Sequence, residues 1–114
     1  MVAIAQGDVW WADLGEPIGS GSRRPVLVVQ GDAFNRSAIA TVVCVPLTRN
    51  VKWAGAPGKV QLKPRDAGLL KESVAKVSRG VALDRAVLIE RVAKVPAAKL
   101  DLVLRGIDLV WGRA

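Results

Sequence analysis

Pro25-Val26-Leu27-Val28-Val29 and Ala40-Thr41-Val42-Val43-Cys44-Val45-Pro46-Leu47 are the two stretches on which the fold turns. Both are continuous apolar runs rich in β-branched residues, and both read as buried strands. Pro25 is acceptable because a strand's first position need not donate to a ladder. Between the runs, Gly31-Asp32 turns the chain, and Ala33-Phe34-Asn35-Arg36 is long enough for one helical turn only. Upstream, Gly7-Asp8 opens a strand over Val9–Leu14. In such a strand the neighbours Trp10 and Trp11 face opposite ways, so at least one belongs to the core. Downstream, Thr48-Arg49-Asn50 ends the second run. Val60–Lys63 alternates as a half-exposed strand, and Ser73–Ser78, Val81–Asp84 and Glu90–Val95 are predicted to follow as strands. Gly15–Arg24, rich in glycine and serine, and Val51–Gly58, with Trp53 and Pro57, read as loops.

The period changes near the end. Pro96 suits a first helical turn. From Ala97 onward Leu100, Val103, Leu104, Ile107, Val110 and Trp111 share one face, and Asp101, Arg105 and Asp108 the other. This spacing assigns Trp111 to the core. Leu102 and Leu109 widen the apolar stripe, which fits either a broad core face or a subunit contact. Many short strands followed by one helix predict a mainly β, α+β fold: a single domain over residues 1–114, built as a small, partly open β-barrel carrying a C-terminal helix.

Charge narrows the function classes. Seventeen Lys and Arg against ten Asp and Glu leave a net charge of +7. That surplus favours a polyanionic partner, nucleic acid or acidic protein, because basic side chains displace the counterions that phosphates hold. The chain has one cysteine and no histidine. Histidine acid–base chemistry and the common zinc sites are therefore excluded, and no cofactor is expected. Cys44, inside an apolar run, reads as an inert buried thiol. No apolar stretch reaches membrane-spanning length, and the N-terminus lacks the pattern of a signal peptide, so a cytoplasmic protein is expected.

Candidate functional residues come from a few places. Arg23 and Arg24 stand at the mouth of a rigid strand, where guanidinium forks can meet a phosphate; solvated surface arginines are the plainer reading. Thr48 closes the second buried strand, and a hydroxyl there can donate to a phosphate oxygen. Lys76 and Ser78 have strand spacing and share the face of Val74. Trp53, in a polar loop, is the best placed of the tryptophans to stack on a base.

In this order the residues resemble the MazF/PemK family of toxin–antitoxin endoribonucleases. The matching pieces are Gly7–Leu14, Arg24-Pro25-Val26-Leu27-Val28-Val29-Gln30, Asp32-Ala33-Phe34-Asn35, Val45-Pro46-Leu47-Thr48, Ser73-Val74, Leu83-Asp84 and the closing helix. Each piece is weak alone; their order across nearly the whole chain is specific. The resemblance implies an SH3-like barrel working as a homodimer. It also implies single-stranded RNA cleaved by the adjacent 2′-hydroxyl, and neutralisation by an acidic antitoxin segment. It places the catalytic pair on Arg24 and Thr48; RNA contacts are expected at Arg23, Gln30, Arg49, Trp53, Lys76 and Ser78. Two departures stand out. The loop before Arg24 is abridged and lacks the acid many members carry, and Ser78 occupies a position where some have an acid. No general base is assigned. Two alternatives remain: a gyrase poison on the same fold, a branch that ends near a Trp-Gly pair like Trp111-Gly112, and a catalytically weak RNA-binding module.

Overall fold

The computed structural model describes residues 3–14, 23–53 and 59–113. Seven strands run through them: β1 (Asp8–Asp13), β2 (Arg23–Val28), β3 (Thr41–Thr48), β4 (Lys59–Leu62), β5 (Ser73–Lys76), β6 (Val81–Asp84) and β7 (Leu88–Lys94). Short helices α1 (Asp32–Asn35) and α2 (Pro64–Ala67) interrupt them, and α3 (Ala97–Val110) closes the chain. All pairings are antiparallel, in the order β4-β5-β3-β2-β1-β7, with β6 also on β3. The sheet is not closed into a barrel: its end strands β4 and β7 do not pair. Instead α2 packs against both of them. Its final residue hands over to Gly68 at φ +71°, where a Cβ would stand 2.7 Å from the Cβ of Ala93. Only glycine lets the chain leave α2 this close to β7.

α2 is absent from the sequence reading. Pro64 sits in its first turn, and Asp66 accepts from the Lys63 N–H at 2.8 Å. That local signature, proline followed by an acid just past a strand, was legible.

Two prolines set where strands stop bonding. The Val29 N–H donates to the Val43 carbonyl. By strand alternation, Val45 and Leu47 then aim their backbone groups at β2, while Cys44, Pro46 and Thr48 aim theirs at the other edge. Pro46 offers that edge no N–H, and there the strand running beside β3 breaks. Leu47 lies opposite Ala75, but Cys44 lies opposite Val81, so Val77–Arg79 form an inserted 3₁₀ turn between β5 and β6. The expected unbroken strand Ser73–Ser78 thus ends at Lys76, and Ser78 sits exposed in the turn. Pro25 does the same on β2. The β2–β3 pairing ends at Val26 opposite Pro46, because position 25 has no N–H for Leu47.

Apolar clusters form on both sheet faces. One contains Val9, Leu27, Val45, Leu62 and Ala75 beneath Leu100, Val103, Leu104 and Ile107 of α3. Gly106 brings the helix close; a Cβ there would come within 3.3 Å of Val77. The other face gathers Trp10, Val26, Val28, Val42, Cys44 and Leu88. Of the adjacent pair, Trp10 is therefore the core member. Trp111 is not: it is 76% exposed, and Leu102, Leu109 and Val110 are exposed with it. The last turn of α3 extends past the sheet that its first turns cover. Asp8, which only opened a strand in the sequence reading, is buried. It accepts from the Ala5 N–H at 2.9 Å and lies 3.1 Å from Arg91 and 3.7 Å from Lys94, fastening β1 to β7. Among the described residues no helix is long and apolar enough to cross a membrane.

Candidate nucleic-acid interface

The register assembles the site. Val26 is opposite Pro46, and that register, extended two residues past the last pair, sets Arg24 level with Thr48. Level residues of neighbouring strands share a face. Beyond Thr48 the row continues to Val74 on β5 and Gln61 on β4. Among the described residues, past Pro25 and Pro46, β2 is held by β1, to Asp13 opposite Arg23, and β3 by β5. Arg24 and Thr48 therefore flank an edge where the sheet's own bonding has lapsed. The Arg24 side chain is exposed, with Nη1 donating to the Arg23 carbonyl at 3.1 Å. Thr48 is half-buried, and its Oγ1 accepts from the Asn50 N–H at 3.2 Å, so its own proton can be donated to a ligand.

The remaining candidates divide. Lys76 shares the face of Arg24 and Thr48, at the end of β5. Arg49 is exposed beside Thr48. The Trp53 backbone lies in a 3₁₀ turn over Val51–Trp53, and its side chain is outside the described residues, as is most of the loop before Arg24. Ser78 has left the strand, as noted above. Arg23 does not join Arg24 as a second fork, because alternation turns it to the opposite face. There it meets Glu90 at 3.0 Å and lies over the Trp11 ring, 5.6 Å from the centroid. Gln30 has an internal task. Its amide donates to Asn35 at 3.0 Å and to the Thr41 carbonyl at 3.1 Å, and accepts from the Val43 N–H at 3.1 Å. A buried amide bonded in this way fixes the β2–α1–β3 corner.

Three residues escaped the sequence reading. Lys59 stands directly opposite Lys76. Gln61 donates to Glu72 at 2.5 Å, which sets a carboxylate beside the same face. These are cross-strand relations between β4 and β5, and the intervening register is not written in local sequence.

Burial pushes the Cys44 thiol up to about 12, consistent with an inert core cysteine. Asp32 is held below its ordinary value of 3.8, chiefly by the Gln6 N–H at 2.7 Å and then by the Asn35 amide at 3.1 Å. Both groups stabilise structure. Among the described residues no cluster of three His, Cys, Asp or Glu could hold a metal ion.

A family model described as PemK-like, MazF-like toxin of type II toxin–antitoxin systems matches residues 5–111. Endoribonuclease MazF6 of Mycobacterium tuberculosis is 41% identical over 111 residues, covering 96% of this chain and 97% of that one. Among solved structures, an endoribonuclease in complex with its cognate antitoxin from a mycobacterial species superposes with a TM-score of 0.78. It is 26% identical and covers 100% of this chain and 98% of that one. MazF of Deinococcus radiodurans superposes at 0.77, with 27% identity over 98% of this chain and 99% of that one.

Proposed function

The chain belongs to the PemK-like, MazF-like toxin family of type II toxin–antitoxin systems, and from that premise we propose that it is an endoribonuclease that cuts single-stranded RNA between Arg24 and Thr48. The observation that supports this reading is the β2–β3 register, which ends at Val26 opposite Pro46; extended past that pair, it sets the arginine before Pro25 level with the threonine after Pro46 on one face. The reaction needs no protein nucleophile. The 2′-oxygen of the ribose before the cut bonds to phosphorus and loses its proton, while the bond to the 5′-oxygen breaks and that oxygen gains a proton. The products are a 2′,3′-cyclic phosphate and a 5′-hydroxyl. Holding the attacking and leaving groups in line supplies much of the acceleration. Charge building on the phosphorane is met by the permanently cationic, rigid guanidinium of Arg24, with a further hydrogen bond from Thr48.

Two partners follow. An acidic antitoxin segment suits a chain of net charge +7. A second copy of the chain suits the surface near the end of α3. There a groove of about 370 Å³ is lined by Val43, Val81, Leu104, Ile107, Val110 and Trp111, and Val43, Val81, Val110 and Trp111 are exposed in the single chain. An exposed apolar groove with tryptophan at its rim fits a subunit contact. That contact also gives Trp111 a role without a gyrase target.

The test is incubation of purified protein with single-stranded RNAs of varied sequence in excess EDTA, followed by mapping of the ends. Cyclic-phosphate and 5′-hydroxyl ends at recurrent sites are expected. RNA left intact across the panel would refute the reading.

A further inference from the structure

Lys59 and Lys76 are directly opposite one another in the β4–β5 ladder, both half-buried. Like charges so placed repel, and a sheet gains nothing from them. No carboxylate among the described residues pairs with either ammonium. Glu72, on the same face at the far end of β5, is engaged by Gln61. The pair lies on the same face as Arg24 and Thr48. Lys76 is two residues from Val74, which is level with Thr48, a diagonal separation of about 7–8 Å.

We propose that Lys59 and Lys76 form a phosphate subsite that grips one RNA phosphate next to the scissile one. This rests on the RNA-cleaving reading above. A phosphate seated between two ammonium groups turns their repulsion into two charge-assisted hydrogen bonds. Lysine is a compact, rotatable point charge, so it accepts any non-bridging oxygen without demanding a particular base. The subsite therefore supplies affinity and sets how far the strand is threaded. Sequence choice belongs elsewhere.

The experiment uses the full chain and Lys59→Gln, Lys76→Gln and the double variant. The ligand is a fluorescent single-stranded RNA with a 2′-O-methyl group at the cleaved ribose. Each single variant should bind about tenfold more weakly. The slope of log affinity against log salt should become shallower by about 0.7 for the lost phosphate contact. With cleavable RNA, KM should rise and kcat at saturation should change by less than about threefold. Tm should hold or rise, since a repulsive pair is gone. A scan of single methylphosphonate replacements should find one position that weakens the wild type but not the double variant. Unchanged affinity and slope in the variants would overturn the subsite, as would additive losses at every scanned position. If the wild type shows this binding signature yet leaves RNA intact, cleavage falls and the subsite stands. If it binds no RNA, both fall.

Discussion

Replacing Pro25 with alanine restores one N–H, at the point where β2 and β3 stop bonding. The register places that N–H opposite Leu47, whose backbone groups already aim at β2. One new backbone hydrogen bond contributes a net of about 0.5–1.5 kcal/mol. Losing proline's restriction of the unfolded chain costs about 0.4–1 kcal/mol. The two nearly cancel, so Pro25→Ala should fold with its stability within about 1 kcal/mol of wild type. Its function should not be spared. Continued pairing would draw β2 onto β3 beside Arg24 and Thr48, and a displacement of about 1 Å at a reacting centre can cost 10²-fold in rate. The expected result is a stable variant with kcat reduced roughly 10–100-fold, in which the new backbone amide at position 25 is protected from hydrogen exchange. Free exchange of that amide together with undiminished RNA cleavage would refute the idea that Pro25 keeps the catalytic edge open.

Arg23→Ala removes an exposed ion pair with Glu90 and a stack on Trp11. Stability should fall by less than about 1 kcal/mol and RNA cleavage by less than threefold; a loss as large as that of an Arg24 variant would return Arg23 to the site. Trp111→Ala should shift sedimentation equilibrium from dimer towards monomer while far-ultraviolet dichroism stays unchanged, and an unaltered mass would place the subunit contact elsewhere. Asp32 has a lowered folded-state pKa. Its stabilisation is therefore complete above the ordinary value of 3.8 and is lost as pH falls through the lower folded value. The Tm gap between wild type and Asp32→Asn should narrow as pH falls below the ordinary value of 3.8; a constant gap would show that the charge of Asp32 is not what stabilises.

Much of the fold could be read from local pattern. Continuous β-branched runs marked β2 and β3, alternation marked β4, and the 3.6-residue period marked α3, because each signal reflects which faces are buried. What escaped depended on partners distant in sequence. The break after Lys76 follows from Pro46 on the neighbouring strand, and the Lys59–Lys76 opposition from a register set across two strands. The apolar period placed Trp111 on the right side of α3, yet period alone does not say where the covering sheet ends. The separation of Arg23 from Arg24 was legible, since the alternation that divides Trp10 from Trp11 divides them too. Arg24 and Thr48 are proposed through the family's motifs, and the β2–β3 register, extended past Val26 and Pro46, sets them level on one face.

The central claim is that the Arg24 guanidinium meets the charge growing on the scissile phosphate. Its most direct measurement is the single-turnover cleavage rate of one mapped RNA site in EDTA for wild type, Arg24→Lys and Arg24→Ala, with melting curves for each. The account predicts unchanged melting, a rate about 10²–10³-fold lower for Arg24→Ala, and partial recovery at best in Arg24→Lys, which keeps the charge but not the fork. An Arg24→Ala protein that folds and cuts the same site at the wild-type rate would contradict it.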